Sequence, residues 1–267
     1  MTAIPRPLTG TGERSGTADG ALAELLTSLA DDELVIGFSD SEWTGIAPLL
    51  EEDVAMSSLA QDELGHARAL YELLACVLDD GRDADAIAYD RPPEAYRHSR
   101  LLDHPRGDWA TAVTRRFLYD TADGVRLDAL VESAYVPLRE LVAKLRREER
   151  YHRMHAETWV ERLANGGAEA RARLRGAFER LAPDAWTVLA PLPGEDALLD
   201  ARIVRAPFRD LDSRWRDALR PTLERLGLPD PAPPGDRATA RTPHSEAFRW
   251  LWGEMTSVRR SEPGATW

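Results

Sequence analysis

Two Glu-x-x-His sequences, Glu63/His66 and Glu149/His152, are the residues of this 267-residue chain whose types and spacing point most directly to chemistry. Residues three apart sit one turn apart on the same face of a helix. Both pairs interrupt an apolar seam. The first seam runs Met56, Leu59, Glu63, His66, Leu70 and Leu73; the second runs Leu138, Val142, Leu145, Glu149, His152, Ala156, Trp159 and Leu163. A carboxylate and an imidazole buried side by side are costly unless they are paired or hold a cation. An exposed Glu and His one turn apart are also an ordinary surface pair, so a single copy says little. Two copies, each in an apolar seam, point to a metal.

Each of these helices is preceded by another helix with an acid in its own seam. Glu33 follows Leu22, Leu26 and Leu29, and Asp120 follows Val113 and Phe117. Pro48, at a helix break, lies midway between positions 33 and 63, and the break before Pro137 contains the midpoint of 120 and 149. Antiparallel helices rise equally on both sides of a turn, so Glu33 should stand level with Glu63, and Asp120 level with Glu149. Packed as a four-helix bundle, the two hairpins bring together Glu33, Glu63, His66, Asp120, Glu149 and His152. Four carboxylates and two imidazoles are the inward ligand set of di-iron and di-manganese carboxylate bundles, and two divalent ions would neutralise them. Glu63 and Glu149 are expected to bridge two iron ions, manganese sharing the same shell, with the other four residues terminal. Asp123 is the alternative to Asp120. Asp31 and Asp32 are alternatives to Glu33 but miss the seam and are expected to face water, as is Asp40 near the helix end. Glu148 and His155 are placed either as hydrogen-bond supports or on the surface. Tyr119 and Tyr151 are expected to point away from the ligands, and His98, His104 and His244 to lie in loops or on the surface.

The elements that must position these groups read as all-α. Helices are predicted at about 19–41, 48–78, 109–132 and 137–163, with weaker ones at 168–190, 212–226 and 244–260. Residues 1–18, rich in Gly, Thr and Pro, read as a disordered tail. The bundle then occupies 19–166 and a C-terminal helical extension 167–267. Residues 79–108 form a crossover longer than most helix–helix connections. Hydrophobic residues at 43% suffice for a large core, and a net charge of −12 argues against a nucleic-acid surface. A single cysteine, Cys76 in an apolar stretch, excludes an intrachain disulfide and reads as buried. With no signal peptide and no run near the ~20 apolar residues of a membrane span, a cytoplasmic location is expected. Trp250, Trp252 and Trp267 read as core filling or a subunit interface.

The stretches DDELVIGFSDSEWTGIAPLLEEDVAMSSLAQDELGHARALYELL, RRFLYDTADGVRLDALVES and EERYHRMHAETWVERLANG resemble the PaaA/PaaC family, the two ferritin-like subunits of bacterial phenylacetyl-CoA epoxidase. The ending HSEAFRWLWGEMTSVRRSEPGATW is most similar to the C-type subunit. The resemblance implies a hetero-oligomeric di-iron monooxygenase of phenylacetate catabolism that epoxidises the ring of phenylacetyl-CoA with O2. It also implies an A-type catalytic subunit and a reductase component as partners. C-type members of the family commonly lose ligands and serve as structural partners, whereas this chain keeps all six acids and imidazoles. A non-catalytic structural subunit and a free-standing ferroxidase are the two alternative readings.

Overall fold

A computed structural model of the chain describes residues 12–231, 235–236 and 239–262. Helix α1 (Gly12–Ser41) and α2 (Leu50–Leu78) form one hairpin; α4 (Trp109–Leu130) and α5 (Val136–Ala164) form the other. The described residues contain no strand, so the all-α, ferritin-like reading stands. Helix α1 starts earlier than the sequence suggested: residues 12–18 of the expected tail are helical, and residues 1–11 lie outside the described residues.

The turn between α1 and α2 is closed by a side chain. Asp53 accepts hydrogen bonds from the backbone N–H groups of Gly45 (3.1 Å) and Ala47 (2.9 Å). Gly45 takes φ +84°, a conformation that strains any residue with a Cβ. Helix α4 is started by Asp108, whose carboxylate accepts from the N–H of Thr111 at 2.9 Å. Gly37 lets the first hairpin pack tightly, because a Cβ there would stand 3.1 Å from the Glu63 Cβ and 3.3 Å from the Ala60 carbonyl.

Two sets of outer elements wrap the bundle. The crossover carries α3 (Ala84–Tyr89) and two short 3-10 turns, and its residues 91–99 bond to the outer side of α1. Helices α6 (Ala168–Ala185) and α8 (Phe208–Leu226) pack on α4. Between them, α7 (Glu195–Asp200) packs on α1; α9 (Glu246–Met255) and α10 (Ser257–Ser261) close the extension. As a result α4 is buried nearly all round, so its Arg115, Arg116, Asp123 and Arg126 are interior groups despite their charge.

The outer layer overturns several single-residue expectations. Asp31, Asp32 and Asp40 are fully buried rather than facing water: the crossover and the C-terminal segment cover Asp31 and Asp32, and Asp40 turns inward to Arg116 of α4. His98 and His244 are buried, not superficial. Cys76 is exposed: its apolar neighbours belong to the last turns of α2, which the core covers only on the opposite side. Trp250 is exposed and Trp252 partly buried, its indole N–H donating to the Arg91 carbonyl at 3.1 Å. Trp267 lies outside the described residues. Among the described residues no helix is long and apolar enough to cross a membrane.

Candidate metal centre

Helices α1, α2 and α5 bring Glu33, Glu63, His66 and Glu149 together with one ligand atom from each lying within 4.8 Å of the others, all buried. His66 Nδ1 is 3.3 Å from Glu33 Oε2, 3.5 Å from Glu63 Oε2 and 3.4 Å from Glu149 Oε1. Its Nε2 lies 2.7 Å from Glu148 Oε2. One ring nitrogen thus faces the acid cluster while the other is fixed by a carboxylate outside it, the usual way an imidazole is oriented toward a metal. Burial alone would lower the His66 pKa, but the Glu149, Glu33 and Glu63 carboxylates raise it far above the ordinary histidine value.

Asp120 and His152 complete the sequence-predicted set from the other side. His152 Nδ1 lies 3.2 Å from Glu63 Oε1 and 3.1 Å from Glu149 Oε1, and its Nε2 lies 3.3 Å from Asp62 Oδ2. The two halves therefore cross-support each other. The acid just before Glu149 holds His66, and the acid just before Glu63 holds His152. Glu63 turns Oε2 toward His66 and Oε1 toward His152.

Arg116, which sequence reasoning passed over, changes the second half. Its guanidinium donates to Glu63 Oε1, and lies 3.3 Å from Asp120 Oδ1 and 3.3 Å from Asp40 Oδ2. It is buried with all three acids. The signal was available: Arg116 precedes Asp120 by one helical turn, so it shares the inward face. Burial would push the Glu63 carboxyl up, yet Arg116, with Glu33 and His152, holds it well below the ordinary range. Glu33 goes the other way, raised by burial and by the neighbouring Glu63. Burial, opposed by Arg116 and reinforced by Glu149, keeps Asp120 well above its usual value.

The donor set suits a cation at the first position. Glu63 Oε2 and both oxygens of Glu149 are buried and accept no hydrogen bond. Acid and imidazole donors of this kind suit iron, manganese or zinc. The second position fits less well, because a permanently charged guanidinium stands between Glu63 and Asp120.

Tyr119 also corrects its expectation. Its hydroxyl donates to Glu33 Oε1 at 3.0 Å, because α4 crosses α1 closely enough for the long ring to reach. Asp123, the alternative to Asp120, is instead paired with Arg126 at 2.5 Å. His155 is held by Glu52 at 2.7 Å. A cavity of about 390 Å³ between α4, α5 and α8 reaches Asp120 and Glu149 and is bordered by Arg150, Arg153 and Arg214.

A match to the family of phenylacetic acid catabolic proteins covers residues 9–267. The chain belongs to that family. It is 29% identical over 244 residues to the C-type subunit of 1,2-phenylacetyl-CoA epoxidase from Escherichia coli (strain K12), a likeness that spans 90% of this chain and 96% of the relative. In this family member the buried acid–imidazole cluster draws on α1, α2 and α5.

Proposed function

We propose that this chain is a C-type subunit of a phenylacetyl-CoA epoxidase, assembled with an A-type subunit and served by a separate reductase. The observation that carries the reading is the family match along almost the whole chain, on a bundle whose interior keeps Glu33, Glu63, His66 and Glu149 in ligating array. Iron is the ion this reading places there, and bound iron supplies redox chemistry toward O2. The chain's own part is to bind and orient: Glu33, Glu63, Glu149 and His66 present donors, Glu148 fixes the His66 ring, and the surrounding helices exclude water. A supporting role within the complex, with ring epoxidation housed in the A-type subunit, is favoured by one observation. Arg116 already occupies the inward face beside Asp120.

Co-expression with an A-type subunit and reconstitution with the reductase tests this. A stable hetero-complex whose turnover of phenylacetyl-CoA to the ring epoxide falls at least tenfold when this chain is omitted is expected. Full turnover by the A-type subunit alone, or no association between the two chains, would overturn it.

A further inference from the structure

The two halves of the buried cluster are built from the same motif, yet only one is open to a metal ion. We propose that Arg116 is the resident cation of the second half, so that the chain takes one divalent transition-metal ion, at Glu33, Glu63, His66 and Glu149, and not two. The inference rests on the metal-binding reading given above and refines it.

Three observations converge. First, Arg116 stands where a second ion would have to stand: it donates to the Glu63 oxygen turned toward the second half and lies 3.3 Å from Asp120, the acid that would be terminal there. Second, a guanidinium cannot surrender its charge in a protein, so Glu63 Oε1 and Asp120 already have a fixed cation beside them. Third, Arg116 is enclosed. It is 1% exposed and flanked by Asp40, Glu63 and Asp120, so it cannot swing aside without leaving three buried acids unpaired. His152 turns its Nε2 to Asp62 and its Nδ1 toward Glu63 and Glu149. The first half has no such substitute. Among the described residues no arginine or lysine is ion-paired with Glu33 or Glu149.

The test is anaerobic titration of the full metal-free chain with Mn(II), followed by calorimetry and by electron paramagnetic resonance, with Fe(II) content checked by metal analysis. One ion per chain is expected, with a spectrum showing no magnetic coupling between neighbouring ions. Glu33→Gln should weaken binding at least a hundredfold, whereas Asp120→Asn should change affinity less than threefold and leave the stoichiometry at one. Arg116→Ser, where it folds, should raise the count to two. Two coupled ions in the unmodified chain, a loss of tenfold or more in Asp120→Asn, or a count held at one in folded Arg116→Ser would each overturn the inference while leaving metal binding intact. No bound ion at all would remove both the inference and the metal-binding reading beneath it.

Discussion

The α1–α2 half and the α4–α5 half of the interior carry the same local pattern, an inward acid on one helix and Glu-x-x-His on its partner. What differs stands one turn upstream of the first acid. Before Glu33 that position is Leu29, a buried apolar group; before Asp120 it is Arg116. A leucine supplies no fixed positive charge beside Glu33, and a guanidinium supplies one beside Asp120. A repeated motif therefore fixes where donors converge but not what neutralises them, and under the proposal above one residue on the same helix face separates a half that takes an ion from solvent from one whose cation is built into the chain.

The largest expected effect comes from removing that cation. Arg116→Met in the metal-free protein leaves Glu63, Asp120 and Asp40 buried without their partner and should cost about 3–5 kcal/mol in urea unfolding. A cost below ~1 kcal/mol would mean that Arg116 is not an interior counter-ion, and the contrast between the halves would go.

Asp40 offers a pH-resolved version. Burial, only partly offset by Arg116 and Arg115, raises its carboxyl from 3.8 to about 6. A raised pKa means the folded state holds the proton more tightly, so the associated stability is full below about pH 4 and is lost as pH rises through about 6. Asp40→Asn lacks this loss. Its stability relative to the unmodified chain should rise by ~3 kcal/mol between about pH 4 and pH 7, since each pKa unit is worth about 1.4 kcal/mol. A flat difference would show that Asp40 keeps its charge throughout. Asp123, also raised to about 6 by burial, titrates in both proteins and cancels in the comparison.

The carboxylates outside the cluster sharpen the contrast further. Glu148→Gln should weaken metal binding about tenfold, because Glu148 orients the proposed ligand His66. Asp62→Asn, which touches His152 in the half held by Arg116, should change it by less than about threefold. Equal effects would argue for equivalent halves. The smallest effect belongs to the exposed pair Arg68–Glu72 on the outer face of α2, where Arg68→Ala should alter stability by less than ~0.5 kcal/mol.

Legibility in the sequence followed burial on one side. Helices α2 and α5 are apolar on one face and wet on the other, so their periodicity located Glu63, His66, Glu149 and His152 without ambiguity. Helix α4 misled because it is covered from two sides. Its bundle face placed Asp120, while its other face, on which the apolar seam is silent, is also covered, with Asp123 and Arg126 paired inside. Helix α1 misled for the same reason. Asp31 is bound by Tyr71 and Arg91, and Asp32 by the Ser99 N–H (2.6 Å), Arg126 (2.5 Å) and Arg241 (3.3 Å). These partners come from α2, from the crossover, from α4 and from the C-terminal segment, at separations no local pattern reports.

His98, Asp103 and His244 make the same point. Asp103 Oδ1 lies 2.8 Å from His98 Nε2 and 3.2 Å from His244 Nδ1, and the two imidazoles stack at 4.1 Å with planes 12° apart. A metal must lie in the plane of each imidazole it binds, and two nearly parallel planes this far apart share no such point. The trio is instead a hydrogen-bonded clasp between the crossover and the C-terminal segment. Burial would raise the Asp103 carboxyl, but its hydrogen bonds to His244 and His98 hold it at about 2.

The sequence by itself determined four long helices, their pairing into hairpins and the level at which six acids and imidazoles meet, because helical rise and apolar period are local properties. Only the tertiary structure decided that Arg116 stands against Glu63, Asp120 and Asp40 and that no arginine or lysine among the described residues pairs with Glu33 or Glu149. It also decided that a row of aspartates on α1 is interior, because the charges that neutralise a buried acid arrive from any part of the chain that folds over it.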